Sequence, residues 1–239
     1  MQRFPLSVLR LVLALFLLAC LSSCRFGSSG PDERGYTLVY LKTGSKEKLS
    51  EEEQKTIFAG HFANMQRLAR EKKLLLAGPF GQPKHDLALR GLFLLDTDDP
   101  AQAKAWAETD PGFQAHVFTL EYHSLHTTSA LRALLDQELA RMAAEEAAGE
   151  HPAPGANGSN YVLLTAQLGL AMERELAGET FTLLHGRIDG GFGWAILDAS
   201  DPNAAVELIG ASREKMGTTL FDAWFATKGL EQLPTLVDP

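Results

Sequence analysis

Residues 74–78 read Leu-Leu-Leu-Ala-Gly, and residues 182–186 read Thr-Leu-Leu-His-Gly. Each is a short apolar run stopped by glycine, which is typical of a β-strand that ends in a turn. A second pair follows in the same order, because residues 91–100 and 193–202 both begin with Gly and end with Asp-Pro. The first pair is offset by 108 positions (186 minus 78) and the second by 102 (202 minus 100). Two matched segments in one order indicate an internal repeat, with a shorter hairpin connection in the second copy.

Around the first copy, the sequence pattern predicts the order strand, helix, strand, strand, helix, strand. The predicted strands are residues 36–41, 74–77, 91–96 and 117–123, and the predicted helices are residues 51–73 and 100–108. Ser50 and Glu53 have capping-box spacing, which gives the first helix a defined start. This order is typical of a ferredoxin-like α+β domain, in which both helices pack on one face of an antiparallel sheet.

A boundary is predicted near residue 150. Residues 129–148 are rich in Ala, Leu and Glu at helical spacing, and residues 150–160 contain the Pro and Gly of a linker. Beyond it, we expect a strand at residues 161–167, a shortened helix at 168–177 and a last strand at 220–226. The expected fold is α+β, with two ferredoxin-like domains of the dimeric α/β-barrel type packed as an intramolecular pseudo-dimer. The expected domains are residues 36–127, a helix and linker at 128–160, and a degenerate second copy at 161–239.

The N-terminus has the layout of an export signal. Arg3 and Arg10 precede an apolar run at residues 11–21, which is too short to span a bilayer as a helix. The sequence Leu-Ser-Ser-Cys at residues 21–24 resembles the bacterial lipobox, which implies cleavage after residue 23 and a lipid on Cys24. Residues 24–35 then read as a flexible tether. The alternatives are a weaker lipobox ending at Cys20, or ordinary cleavage that releases a soluble protein.

Charge and cysteine content narrow the function classes. The net charge of −8 becomes −10 once Arg3 and Arg10 are removed, which argues against nucleic-acid binding. Both cysteines lie in the leader, so cleavage before Cys24 leaves no partner for a disulfide. The expected location is the cell envelope, on the periplasmic side. Arg25 follows Cys24 where an Asp would favour inner-membrane retention, so the outer membrane is favoured.

His61 and Asp110 form the candidate acid/base pair. On a helical period, His61 shares a face with Ile57, Met65 and Leu68, which directs it toward the sheet. Asp110 follows the second helix on the same side, and we expect Pro111 to end that helix. An imidazole held beside a carboxylate suits general acid/base chemistry. The alternative is a core histidine with its hydrogen bonds satisfied, beside an Asp-Pro that only stops a helix.

Three motifs carry a resemblance to a known family. They are Gly-His-Phe-Ala-Asn-Met-Gln-Arg-Leu-Ala-Arg-Glu at residues 60–71, the run at residues 74–79, and Thr-Asp-Pro-Gly at residues 109–112. Together they resemble the YCII family over about 90 residues. The resemblance implies a ferredoxin-like domain that pairs sheet to sheet as a dimer, with a His and an Asp, here His61 and Asp110, in a cleft. Characterised relatives include a dehydrochlorinase that acts on a chlorinated hydroquinone.

The second copy lacks this pair, because the offsets place Gly169 at the position of His61 and Ser212 at that of Asp110. We therefore expect it to be a structural partner that makes the protein a monomer. The expected function is a small-molecule lyase or hydrolase, with Gly78 and Pro79 shaping the pocket mouth. The alternative is a non-catalytic lipoprotein that binds a small ligand or an envelope partner.

No cofactor is expected, and no metal. His116, His123 and His126 have poor spacing for a shared ion, since residues three apart on a strand face opposite ways. The glycine-rich residues 190–193 are interpreted as a turn and not as a phosphate-binding loop. The three tryptophans are expected in the core or at the sheet interface; they are Trp106, Trp194 and Trp224.

Overall fold

The computed structural model describes residues 33–46, 48–153 and 155–238. The predicted signal peptide, the lipidation site at Cys24 and most of the tether lie outside the described residues. Within the described residues, no helix is both long and apolar enough to cross a membrane.

The first half contains four strands and three helices before a longer connecting helix. In chain order they are β1 (Arg34–Thr43), α1 (Glu51–Arg70), β2 (Leu74–Pro79), β3 (Leu89–Leu95), α2 (Pro100–Ala107), α3 (Pro111–Gln114), β4 (Phe118–Thr127) and α4 (Leu131–Ala148). The predicted order is present, with one further short helix, α3. β4 extends four residues past its predicted end.

The capping box starts α1 as expected. The backbone N–H of Glu53 donates to Ser50 Oγ at 3.2 Å, and the Ser50 N–H donates to Glu53 Oε2 at 2.8 Å. α1 ends at Arg70, three residues before the predicted end, because Lys72 adopts a left-handed conformation with φ 55°. That turn leads directly into β2.

The second half repeats the element order with shorter helices. Its elements are β5 (Gly158–Ala166), α5 (Gly169–Leu176), β6 (Thr182–Ile188), β7 (Phe192–Leu197), α6 (Pro202–Ile209) and β8 (Thr219–Thr227). β5 begins inside the stretch predicted as linker. A single 3₁₀ turn at Asp189–Gly191 joins β6 to β7, so the glycine-rich residues form a turn.

All eight strands belong to one antiparallel sheet, in the order β2-β3-β1-β4-β6-β7-β5-β8. The first four positions and the last four have the same internal order, with the first strand of each half between its third and its fourth. The halves meet where β4 pairs with β6, through Leu125 with Ile188 and His126 with Arg187.

The two outer strands, β2 and β8, also meet, so the sheet curves into a near-barrel. Phe80 forms an isolated bridge with Trp224, and the Gly81 N–H donates to the Ala223 carbonyl at 2.8 Å. The indole N–H of Trp224 donates to the Gly78 carbonyl at 3.0 Å. Closing a sheet in this way removes exposed strand edges.

Strand alternation divides the core into layers. Tyr36 and Leu38 of β1 and Trp194 of β7 point into the barrel, where one large apolar cluster lies. Val39 of β1 instead packs in a second cluster beneath α1 and α2, and Ala195 of β7 packs in a third beneath α5 and α6. This alternation follows from the two-residue period of a strand.

Two of the tryptophans hold the halves together. Trp194 is fully buried, and its indole N–H donates to the Tyr40 hydroxyl at 3.0 Å across the barrel. Trp224 is buried at the β2–β8 junction described above. Trp106 is only partly buried and lies beneath the Lys73 ammonium, 5.5 Å from the ring centroid. The first two are therefore interface anchors, and the third is at the edge of an outer cluster.

Candidate functional site

His61 lies in the middle of α1 on the face that packs against the sheet. Its ring stacks on Phe93 of β3, with centroids 5.8 Å apart and planes inclined by 19°. Phe58 and Phe118 approach it from two other sides, at 6.2 Å and 5.4 Å between centroids. The residue is only 8% exposed. Aromatic contacts on three sides therefore fix the plane of the imidazole.

Asp110 occupies the N-cap position of α3 and is completely buried. Its Oδ1 accepts the backbone N–H groups of Gly112 at 2.8 Å and Phe113 at 3.3 Å. The expectation that Pro111 ends the preceding helix is wrong. That helix already stops at Ala107, and Pro111 is the first residue of α3, where its missing N–H and fixed φ cost nothing.

The structure brings His61 and Asp110 together. Nδ1 of the imidazole lies 2.5 Å from Asp110 Oδ2. An ionised carboxylate can only accept at that contact, so Nδ1 is the nitrogen that donates, and whenever the ring is neutral its lone pair is on Nε2. Within the described residues, no side chain or backbone group forms a hydrogen bond with Nε2. The Asp110 contact thus selects which imidazole nitrogen carries the proton in the neutral ring.

Gly60 allows the two elements to approach. A Cβ at this position would lie 3.1 Å from Cγ of Pro111, a tight contact that would require the proline ring to shift by a few tenths of an ångström. About one helical turn further along α1, Asn64 Oδ1 accepts from the Arg67 guanidinium at 2.7 Å and from the Thr109 hydroxyl at 3.2 Å. These contacts tie α1 to the segment that carries Asp110.

A cavity of about 220 Å³ opens beside the imidazole. His61, Gly78 and Pro79 line it, so the residues predicted to shape the pocket mouth lie at the same cavity. The remaining walls are mostly apolar: Leu41, Phe58, Phe62, Met65, Gly91, Leu92, Phe93 and Phe118. Phe62 is 56% exposed, which is high for so large an apolar side chain and places part of its ring in solvent.

Arg90 also lines this cavity, and sequence reasoning missed it. Helical and strand periodicity predict the face on which a residue lies. They do not detect the register shift in the β1–β3 ladder, which is where Arg90 lies. A single arginine just before a predicted strand matches no sequence motif. The only available signal was its position next to Gly91.

Gly78 has a second role at the junction of the halves. A Cβ there would lie 2.0 Å from the Phe225 carbonyl oxygen, and the Gly78 carbonyl accepts the indole N–H of Trp224. Only glycine allows β8 to come this close. The pocket mouth and the β2–β8 junction therefore share one residue.

The second half has no matching pair. Gly169 lies at the start of α5, where an added Cβ would be 2.3 Å from the Gly191 carbonyl oxygen. Ser212 donates to Glu175 at 2.7 Å, and it forms no hydrogen bond with a histidine in the described part of the chain. A wider, open cavity of about 1200 Å³ lies here, lined in part by Gly169, Arg187 and Phe192. Arg187 is bound to Glu173 at 2.8 Å and to Glu33 at 2.5 Å.

Two other histidines pair with carboxylates that come from the second half, and neither pairing was expected. His85 Nδ1 lies 2.7 Å from Oδ2 of the buried Asp222. His123 contacts Asp189 through Nδ1 and Glu121 through Nε2, at 2.9 Å for the latter. No group of three or more metal-ligating side chains is found in the described part of the chain.

Comparison with known proteins supports the resemblance over the first half. The family model of the YCII-related domain matches residues 38–122, a range that includes both His61 and Asp110. No curated protein and no solved structure matches the chain. Residues 38–122, from within β1 to within β4, are therefore identified as similar to the YCII-related domain family.

Proposed function

We propose that the first half holds a small-molecule acid/base site in which His61 Nε2 transfers the proton. The observation that carries the proposal is the 2.5 Å contact between His61 Nδ1 and Asp110, beside a 220 Å³ cavity. The contact leaves Nε2 without a protein partner in the described residues. A buried imidazole with one nitrogen held and the other free at a cavity is the arrangement that general acid/base catalysis requires.

The proposed reaction class is a lyase or hydrolase reaction. His61 Nε2 takes a proton from a substrate C–H group, or from a water that attacks the substrate, and the ring becomes an imidazolium. Asp110 accepts the Nδ1–H throughout and balances the new positive charge. The same proton is then available at Nε2 for a leaving group. Apolar walls around the ring keep bulk water from competing for it.

We also propose that the second half is a degenerate copy that completes an intramolecular pseudo-dimer. Support comes from the identical internal strand order of the two halves and from their junctions on both sides of the sheet. The proposed domains are residues 36–127 and 161–239, joined by 128–160. In this proposal the second half supplies the sheet that a single-domain relative would take from a second chain, so the protein is a monomer.

The proposed location is the cell envelope. Residues 1–23 act as a signal peptide, Cys24 carries the lipid and residues 24–35 tether the folded part to the periplasmic face of a membrane, with the outer membrane favoured. The support is the sequence pattern around Cys24. Labelling cells with a fatty-acid analogue tests this, because Cys24→Ser must abolish incorporation while Cys20→Ser must not.

A second candidate is a non-catalytic binding protein that uses the same cavity. The predominantly apolar walls favour it, since apolar surroundings suit retention of a ligand as well as its conversion. In this case His61 orients the ligand through Nε2 and no bond breaks.

The test is a turnover screen with halogenated and hydroxylated benzoates, followed by halide release and ultraviolet absorbance. Activity lost in His61→Gln and retained in His151→Gln, an exposed histidine outside the cavity, supports the enzyme. Activity that survives His61→Gln contradicts it. Binding by the unmodified protein, detected by NMR without any conversion over days, favours the binding protein instead.

A further inference from the structure

We propose that Arg90 is the anion-binding residue of the His61 cavity, so that the ligand is a compact apolar molecule carrying one negative charge. The inference rests on the proposed function, because it assigns a ligand class to the same cavity. It concerns recognition and not proton transfer, so it can fail while the acid/base role of His61 stands.

A β-bulge in β3 sets the direction of the Arg90 side chain. In the β1–β3 ladder, Leu41 pairs with Gly91 and the next residue, Lys42, pairs with Leu89. Arg90 is therefore the extra residue of the bulge and has no paired residue in the β1–β3 ladder. A bulge of this kind re-aims the side chain of its extra residue and is frequent beside functional sites. Here the re-aimed side chain lines the cavity.

The Arg90 guanidinium is fixed through its Nε–H, and its two terminal amino groups are left without a hydrogen bond in the described residues. Its Nε–H donates to Thr43 Oγ1 at 2.8 Å, and the Thr43 hydroxyl donates onward to the Ala88 carbonyl at 3.3 Å. No hydrogen bond from either terminal amino group is found within the described residues. Those two groups form the fork that binds a carboxylate in a bidentate manner.

Arg90 has no carboxylate partner in the described residues, although the protein carries an excess of acid. The net charge is −8; Arg132 lies 2.8 Å from Asp96 and Arg141 lies 2.6 Å from Glu145, whereas Arg70, Arg174 and Arg213 resemble Arg90 in having no carboxylate partner there. What distinguishes Arg90 from these other arginines is that it lines the His61 cavity, where its guanidinium can receive a carboxylate.

A second cation adds to the positive potential near Arg90. Burial, followed by the charge of Arg90, lowers the pKa of Lys84, which places the two cations close together. Asp222 and Asp86 act on Lys84 in the opposite direction and raise its pKa, but they are paired with His85 at 2.7 Å and with Lys42 at 3.2 Å. In the described residues neither acid forms an ion pair with Arg90, which therefore remains available to an anion.

The cavity sets the size and polarity of the rest of the ligand. An apolar cavity of about 150 Å³ admits benzene, so 220 Å³ holds one ring with a small substituent. Phe58, Phe93 and Phe118 offer ring faces and edges for it. His61 is buried and Arg90 is exposed, so the ligand is oriented with its charge outward and its apolar end at Nε2.

Binding of two matched probes tests the inference without any turnover. Benzoate and its neutral analogue benzyl alcohol are titrated into the full chain and followed by ligand-observed NMR. We expect Arg90→Gln to weaken benzoate binding by about tenfold or more, which is the usual loss for a charge-assisted hydrogen bond, and to leave benzyl alcohol unchanged. Arg90→Lys should recover only part of the loss, because it lacks the fork.

Arg213→Gln is the matched control, since Arg213 is an exposed arginine away from the cavity and the substitution removes the same charge. Equal benzoate affinities in Arg90→Gln and Arg213→Gln would overturn the inference, as would failure of the unmodified protein to prefer benzoate over benzyl alcohol. Neither result affects the role of His61. Conversely, if benzoate binding depends on Arg90 but no turnover depends on His61, the inference stands and the proposed enzymatic function is excluded.

Discussion

His61 Nδ1 and Asp110 Oδ2 lie 2.5 Å apart, although 49 positions separate them in the sequence. The other oxygen of the same carboxylate accepts two backbone N–H groups and caps α3. One carboxyl group thus starts a helix and sets the tautomer of an imidazole. Helix capping needs only one of these oxygens, so the second oxygen is available for the contact with the imidazole.

Asp110→Asn should preserve the fold and invert the imidazole tautomer. The amide oxygen can still cap α3, but the amide nitrogen must donate to His61 Nδ1, so the proton moves to Nε2. We expect a loss of about 1–3 kcal/mol in the free energy of unfolding. Any His61-dependent activity should fall by roughly four orders of magnitude, as in the corresponding tautomer-inverting variant of a serine protease.

Asp201→Asn is the control for this experiment. Asp201 caps α6 by accepting from Asn203 at 2.8 Å and from Ala204 at 3.1 Å, and it contacts no histidine. The Asp201→Asn variant should keep its helix cap and leave the His61 resonances unchanged. Unchanged His61 resonances in Asp110→Asn as well would contradict the proposed tautomer.

Gly78→Ala should destabilise the closed barrel. The new methyl group would lie 2.0 Å from the Phe225 carbonyl, and backbone cannot move aside cheaply. We expect a loss of about 2 kcal/mol or more in urea unfolding, together with a change in Trp224 fluorescence. Gly81→Ala is the matched substitution at the same junction, where the added Cβ meets Ala223 at an ordinary 3.4 Å. It should cost less than about 0.5 kcal/mol, and equal losses in both variants would refute the close approach.

His185 should make the protein sensitive to mild acid. Burial lowers the pKa of this histidine below 6.5, with Glu173 opposing the shift, and its Nδ1 has no partner in the described residues. Because the unfolded chain then binds the proton more tightly, stability is full above about pH 6.5 and falls as the pH drops below it.

Urea unfolding of His185→Leu between pH 7.5 and about 5 measures this dependence. The variant should lose less stability across the range than the unmodified protein does. His151→Gln, which alters an exposed histidine, should follow the unmodified protein. Parallel curves for all three proteins would show that His185 is not responsible.

Gly169→Ala should disturb the second half, because the added Cβ would lie 2.3 Å from the Gly191 carbonyl oxygen. We expect a loss of about 1–3 kcal/mol. The adjacent Leu170, which is 65% exposed, serves as the control in Leu170→Ala and should change little. A stably folded Gly169→His would contradict the conclusion that this half has no space for an imidazole.

Much of the fold follows from local sequence signals. Period-two apolar runs predicted the strands, Ser50 with Glu53 predicted the start of α1, and the repeated glycine-stopped segments predicted equivalent strands in both halves. His61 was placed on the sheet-facing side of α1 by helical spacing alone. These features depend on residues close in the sequence, where periodicity and capping rules operate.

The features that were missed depend on contacts between distant residues. The break in register that directs Arg90 arises from pairing of β1 with β3, and no local pattern reports it. Likewise, Asp-Pro was interpreted as the end of a helix, although the same dipeptide also suits the start of one, as in α3. The pairs His85–Asp222 and His123–Asp189 exist only because the two halves close one sheet.

A long-range ¹H–¹⁵N correlation spectrum of the His61 imidazole, assigned by comparison with His61→Gln, shows which ring nitrogen carries the proton. We expect the neutral ring to be protonated at Nδ1 and to have a lone pair on Nε2. A neutral ring protonated at Nε2 would contradict this expectation, because His61 would then have no lone pair to present to the cavity.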